Sequence, residues 1–171
     1  MSDFRGGRHR LFALRLAWGG RVNCDISADH AFHLRALMKF IGKYGEYRVL
    51  ACLLELDIEA YLAIKTNQPD FDLTVILKSG DVVRVQVKAT ELNNKSTNNA
   101  IDRIDKQYDF LVVVIVDGDK SVRFFVMTKG EAIEAKGNSK QLGTTQQRNK
   151  EFQVREALLP HENKWEKIAN V

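Results

Sequence analysis

Residues 71–90 read Phe71-Asp72-Leu73-Thr74-Val75-Ile76-Leu77-Lys78-Ser79-Gly80-Asp81-Val82-Val83-Arg84-Val85-Gln86-Val87-Lys88-Ala89-Thr90, and their parity decides the fold. In the first half Phe71, Leu73, Val75 and Leu77 fall on one side of an extended chain, with Asp72, Thr74 and Ile76 on the other. In the second half Val83, Val85, Val87 and Ala89 alternate with Arg84, Gln86, Lys88 and Thr90. Both halves are period-two strands, at 71–78 and 82–90, and Lys78-Ser79-Gly80-Asp81 is the turn between them. Asp72, Gln86 and Lys88 are all even-numbered, so they share a face only if paired positions sum to an even number. A two-residue Ser79-Gly80 loop gives an odd sum. The expectation is therefore a loop such as Ser79-Gly80-Asp81, setting Asp72 opposite Lys88, or else a bulge.

Outward from this hairpin the pattern alternates between helix and strand. A strand is expected at 59–65, ahead of Pro69. Before it, Glu46 to Leu56 carries the helical stripe Val49, Cys52, Leu53 and Leu56. Gly42 and Gly45 are read as breaking or kinking an earlier helix, which starts at the N-cap Ser27, runs through about Lys39 and shows a face of Leu34, Leu37, Met38 and Ile41. Gly19-Gly20 reads as the turn of a hairpin joining 9–18 and 21–27, with a helix as the alternative to the first strand. Downstream, Glu91 to Asn99 is a polar loop and Ala100 to Tyr108 a short helix. Phe110 to Val116, continuously apolar and β-branched, is a strand buried on both faces. Val122 to Met127 gives another strand, followed by a helix at 129–135, a Gly/Asn/Gln-rich loop at 137–149, and a helical stretch at 150–158 with Trp165 docking back. A buried strand reached through a helix implies a right-handed crossover, so the fold class is α/β with a mixed sheet.

At 171 residues the chain matches one domain, 1–171, with a core that closes without staples. The two cysteines, Cys24 and Cys52, have no CxxC spacing, and Cys24 with His30 and His33 matches no common zinc site. A reducing, cytoplasmic location is expected. The longest apolar run is too short to span a bilayer, so no membrane is expected. The net charge is +4, from 26 basic and 22 acidic residues, and it is concentrated early, in a basic extension over 1–27: within residues 1–21, Arg5, Arg8, Arg10, Arg15 and Arg21 stand against Asp3 alone. Such an arm suits sequence-independent attraction to phosphate backbones, and equally suits a solvated terminus.

An Asp, an amide oxygen and a Lys on one face of adjoining strands supply what phosphodiester hydrolysis needs. The oxygens ligate a hard divalent cation, and the ammonium sits beside the attacking water. Glu46 precedes Val49, Leu53 and Leu56 on the buried helical stripe, where an unpaired acid is costly. An inward Glu near an inward Asp is better explained by a shared cation than by packing.

These residues resemble the PD-(D/E)xK, or restriction-endonuclease-like, superfamily: a helix acid at Glu46, Pro69-Asp70-Phe71-Asp72, and Gln86-Val87-Lys88 where the family usually has (D/E)-x-K. The resemblance covers about 42–128 and looks particularly like QxK branches that include some homing and restriction endonucleases and Holliday-junction-resolvase-like proteins. It implies an αβββαβ core with a mixed central sheet flanked by helices, an endonucleolytic cut of DNA that needs Mg2+ or Mn2+, and frequent homodimerisation. Carried over by residue, it makes Glu46, Asp72, Gln86 and Lys88 the catalytic set. Asp72, the Gln86 side-chain oxygen and the Val87 backbone carbonyl would hold the metal, with Glu46 joining directly or through water. Lys88 would orient or help deprotonate the attacking water. Asp70 stands as the alternative acid to Asp72, and Arg84, Thr90 and Lys95 are candidate nucleic-acid contacts. Gln86 removes one negative charge from the site. A catalytically inactive nucleic-acid-binding module, or an assembly subunit on the same fold, is therefore the competing reading. Lys136, Lys140, Arg148 and Lys150 suit phosphate contact too, but are read first as a charged, solvated loop.

Overall fold

The computed structural model describes residues 38–63, 70–92 and 100–170. The expected N-terminal hairpin, the Ser27 cap with nearly all of the first helix, the zinc-like trio and Lys95 lie outside the described residues.

Helix α1 (Ile41–Glu55) opens the described fold and is followed by β1 (Glu59–Leu62), β2 (Leu73–Ile76), β3 (Val82–Glu91), β4 (Ala100–Ile101), β5 (Phe110–Val116) and β6 (Val122–Thr128). Helix α2 (Lys129–Lys136), β7 (Leu142–Gly143), β8 (Thr145–Arg148), β9 (Glu151–Val154), a 3-10 turn at Glu156–His161 and α3 (Glu166–Ala169) complete it. The main sheet runs β1-β2-β3-β5-β6. Only β3 and β5 are parallel, in register from Val85 with Phe110 to Glu91 with Val116, so the sheet is mixed. This is the expected α/β architecture, a five-stranded mixed sheet flanked by helices.

Every residue of β5 is buried, as its unbroken apolar run requires, because the sheet has a core on each side. On one face Val83, Val85, Val87, Val112 and Val114 pack against Val49 and Leu53 of α1. On the other, Leu111, Val113, Ile115, Phe125 and Met127 pack with Ile101, Ile104, Ala132, Leu142 and Leu158. Trp165 docks as expected, its ring centroid 5.4 Å from that of Phe124.

Four local expectations are corrected. Gly42 and Gly45 lie inside α1 and do not break it. Gly45 is needed for packing: a Cβ there would stand 2.6 Å from the Ala89 Cβ, so the missing methyl is what lets the helix seat on β3. The predicted helix at 100–108 is instead β4 followed by turns. Ile101, Ile104 and Tyr108 have helical spacing and are all buried, but Arg103 takes a left-handed φ of 56°, which an α-helix cannot contain. The loop predicted at 137–149 holds β7 and β8, and the helix predicted at 150–158 is β9 running into the 3-10 turn.

The C-terminal segment is locked to the sheet by charge. Lys167 Nζ donates to both Glu131 oxygens, at 2.7 and 2.8 Å, and lies 3.0 Å from His161 Nδ1, while Arg123 forms a two-pronged pair with Glu162 at 2.7 Å. Burial and the Lys167 charge push the His161 pKa below its ordinary value, so the folded chain prefers the neutral ring. A group with a depressed folded pKa contributes stability above its unfolded value, about 6.5 for histidine, and that contribution is lost as the pH falls through the folded value. The urea midpoint should therefore decline as the pH drops from about 7 toward 5, and His161→Asn should flatten that decline. An unchanged slope in the variant would remove His161 from this role. Burial works against the Glu131 charge, but the Lys167 ammonium and the Thr128 groups outweigh it and hold that carboxyl low, which adds a loss of the same sign at more acid pH.

Candidate active site on the even face of β3

The hairpin carrying the predicted residues has the expected even sum, one residue out of the expected place. Leu73 pairs with Val85, Thr74 with Arg84, Val75 with Val83 and Ile76 with Val82. Leu77 N–H donates to the Asp81 carbonyl at 2.8 Å, so the loop is Lys78-Ser79-Gly80, and Gly80 takes the φ of 90° that favours glycine. Continued by one residue, this register sets Asp72 opposite Gln86, correcting the expected pairing with Lys88. Lys88 is the next residue along the same face.

The partner strand shows which face this is. Gln86 lies beside Leu111, Lys88 beside Val113 and Thr90 beside Ile115, so the polar row of β3 borders the second core, away from α1. One Asp72 oxygen accepts a hydrogen bond from the Gln86 amide, and Val87 N–H donates to the same oxygen at 2.7 Å. The Gln86 amide nitrogen is also 3.3 Å from the Val87 carbonyl. Gln86 is only 3% exposed, and its Oε1 is buried without a hydrogen-bond partner. Such an orphan acceptor is costly and calls for an explanation. A half-turn of the amide plane would bring this oxygen toward Asp72 Oδ2 and the Val87 carbonyl, forming a cluster of hard oxygen donors.

The electrostatics show an acid short of positive charge. Burial pushes the Asp72 carboxyl above its ordinary range; the Val87 N–H opposes this, Glu46 adds to it, and Lys88 and Lys43 pull it back. Burial pushes Lys88 below the ordinary lysine range, and the Lys106 and Arg103 cations push the same way against Asp72 and Glu46. Glu46 comes from α1, on the opposite side of β3. Its side chain is 13% exposed, so it is largely covered, and its carboxylate pairs with Lys43 at 2.6 Å. Its charge acts on both Asp72 and Lys88 from across the strand.

Of the remaining candidates, Asp72 and not Asp70 makes the bonds to Gln86 and Val87. The exposed Arg84 guanidinium lies over the Phe71 ring, 5.8 Å from its centroid. Thr90 and Lys88 line a groove of ≈ 460 Å³ together with Ile101, Arg103, Lys106 and Thr144. Sequence reading missed Lys43, Arg103 and Lys106. Lys43 carried a signal in its i,i+3 spacing to Glu46, whereas the other two were hidden in a segment read as helix.

Among the described residues, no three His, Cys, Asp or Glu side chains gather in a metal-holding group, so any ion here would depend on the Gln86 oxygen and a backbone carbonyl. Likewise, no helix among them is long and apolar enough to cross a membrane. No family model matches the chain, and no curated protein is similar to it. Among solved structures, the bacterial homing endonuclease I-Ssp6803I is similar over 78% of this chain and 93% of its own, with a TM-score of 0.52 and 16% identity. At that identity the likeness is one of fold, a nuclease-like α/β domain built on a mixed sheet.

Proposed function

We propose that this chain is a metal-dependent nuclease that hydrolyses phosphodiester bonds of DNA, using Mg2+ or Mn2+. The observation that carries the reading is the meeting of Asp72, Gln86 and the Val87 carbonyl beside Lys88, with a buried Gln86 oxygen that has no partner. Asp72, Gln86 Oε1 and the Val87 carbonyl would hold the cation, and Glu46 would join them directly or through water. The ion supplies Lewis acidity at the scissile phosphate and favours ionisation of the attacking water. Lys88 orients that water and stabilises the negative charge that develops on the phosphate oxygens. Lys43, paired with Glu46, keeps a second cation close to both acids. A duplex cut needs one such centre per strand, which a symmetric homodimer on DNA provides. Restriction, repair and mobile-element processing are the processes that such a cut would serve.

The direct test is incubation of plasmid, branched and single-stranded DNA with the chain, with and without each metal. Metal-dependent cutting supports the reading. Binding without any cutting would instead favour the inactive module, a reading that the Gln86 amide bonded to Asp72 also accommodates.

Gln86→Glu separates the two further. Beside Asp72, the new carboxylate is a buried like charge, so the metal-free variant should lose about 1–3 kcal/mol of stability. Mg2+ or Mn2+ should restore it, with tighter binding than wild type in a calorimetric titration. A loss that neither metal repairs would show that the oxygens do not converge on an ion.

A further inference from the structure

The ribbon formed by β8 and β9 has no part in the chemistry above, yet it leaves the rim of the same groove. Gly143 pairs with Ala100 beside the groove, Thr144 lines it together with Lys88, and β8 begins at the next residue. The strands pair as Thr145 with Val154, Gln146 with Gln153, Gln147 with Phe152 and Arg148 with Glu151. Its two faces therefore differ. One carries Thr145, Gln147, Phe152 and Val154, and the buried Val154 roots it in the second core. The other carries only Gln146, Arg148, Glu151 and Gln153, a row of hydrogen-bonding side chains with no apolar member.

The tip is Asn149-Lys150, with φ of 51° and 67°, the left-handed pair that a tight type I′ turn requires. That turn matches the natural twist of two strands, so the ribbon is held in shape before any partner arrives. At about 3.4 Å per residue its four-residue strands reach about 14 Å, or about four base pairs of duplex. Arg148 pairs with Glu156 at 3.4 Å, but both side chains are exposed, and such a pair is worth only about 0–1 kcal/mol, so the guanidinium is readily given to another acceptor.

We infer that the all-polar face of the β8–β9 ribbon enters the major groove of duplex DNA and reads base edges beside the cut. This rests on the nuclease reading of the Lys88 groove. The major groove is wide enough for a two-stranded ribbon, and these side chains are of the kinds that read it: Arg to guanine, Gln to adenine, Glu to the cytosine amino group. The complementary charge lies at both ends, with Lys150 at the tip and Lys88, Arg103 and Lys106 in the groove at the root. At these two ends phosphates would hold the duplex in register while the ribbon between them reads it.

The test is selection from a pool of duplexes randomised over two helical turns, using the full chain without divalent cation so that the DNA survives. The wild-type chain should enrich a motif containing a guanine that Arg148→Gln replaces with adenine, at roughly tenfold preference, leaving the other positions unchanged. Gln146→Ala should erase the preference at a neighbouring position. Should all three chains enrich the same motif, or bind duplex while enriching none, the ribbon is not the reader and the nuclease reading stands. If the wild-type chain neither binds duplex nor cuts it with Mg2+ or Mn2+, the nuclease reading fails and takes this one with it.

Discussion

Replacing Lys88 with alanine is expected to lower the rate of metal-dependent DNA cleavage by about 10³-fold, equivalent to about 4 kcal/mol of transition-state stabilisation, with the fold left intact. The two effects separate because of where Lys88 sits. Burial pushes its pKa down, which means that folding disfavours its charge, so truncation removes a destabilised cation and leaves the Val83-Val85-Val87 face of β3, packed on α1, untouched. The measurements are single-turnover cleavage alongside a urea midpoint for each chain. A cleavage rate within about tenfold of wild type would remove Lys88 from the chemistry, and a large fall in midpoint would recast it as a structural residue.

The second large effect is expected at Gly45. Alanine there places its Cβ 2.6 Å from the Ala89 Cβ, with Val87 and Val114 close behind at 3.6 and 3.7 Å. The nearest of these atoms is fixed to the strand backbone, so the helix must move. Alanine is the better helix former by about 1 kcal/mol, but overpacking costs about 1–3 kcal/mol, and we expect a net loss of up to about 2 kcal/mol. Activity should suffer more than stability. Glu46 is the next residue, and a displacement of about 1 Å at a catalytic group costs roughly 100-fold. The double variant Gly45→Ala with Ala89→Gly reopens the space and should recover most of the cleavage rate. If the single variant cuts DNA as wild type does, either α1 can slide without consequence or Glu46 takes no part.

Strands buried on at least one face were legible because their alternation is a direct record of the pleat. Phe110 to Val116 appears as read, residue for residue, and parity alone put Asp72, Gln86 and Lys88 on a common face. The one-residue error in the loop, and with it the partner of Asp72, arose because Lys78, Ser79, Gly80 and Asp81 all suit a turn; the Leu77–Asp81 hydrogen bond makes the choice among them. The helix expected over Ala100 to Tyr108 failed because burial of Ile101, Ile104 and Tyr108 at helical spacing does not require a helix when a left-handed residue such as Arg103 turns the chain between them. The ribbon was illegible for the opposite reason. Thr145 to Arg148 is polar on both faces and leaves no alternation to read, so its strands are set by the tip geometry and by the anchoring of Val154.

The burial of β5 on both faces has a consequence for how the site can come apart. Amide hydrogens on β5, shielded above, below and on both edges, should be the last to exchange with solvent, and those of β3 alongside it nearly as slow. Gln86 and Lys88 ride on that slow-exchanging strand. Asp72 instead immediately precedes a four-residue strand that lies one place in from the sheet edge, beside the equally short β1, where local opening costs less than in the centre of the sheet. The site is thus divided between the most durable part of the molecule and one of the most easily opened, so its carboxylate can leave and return while the amide and lysine stay in place.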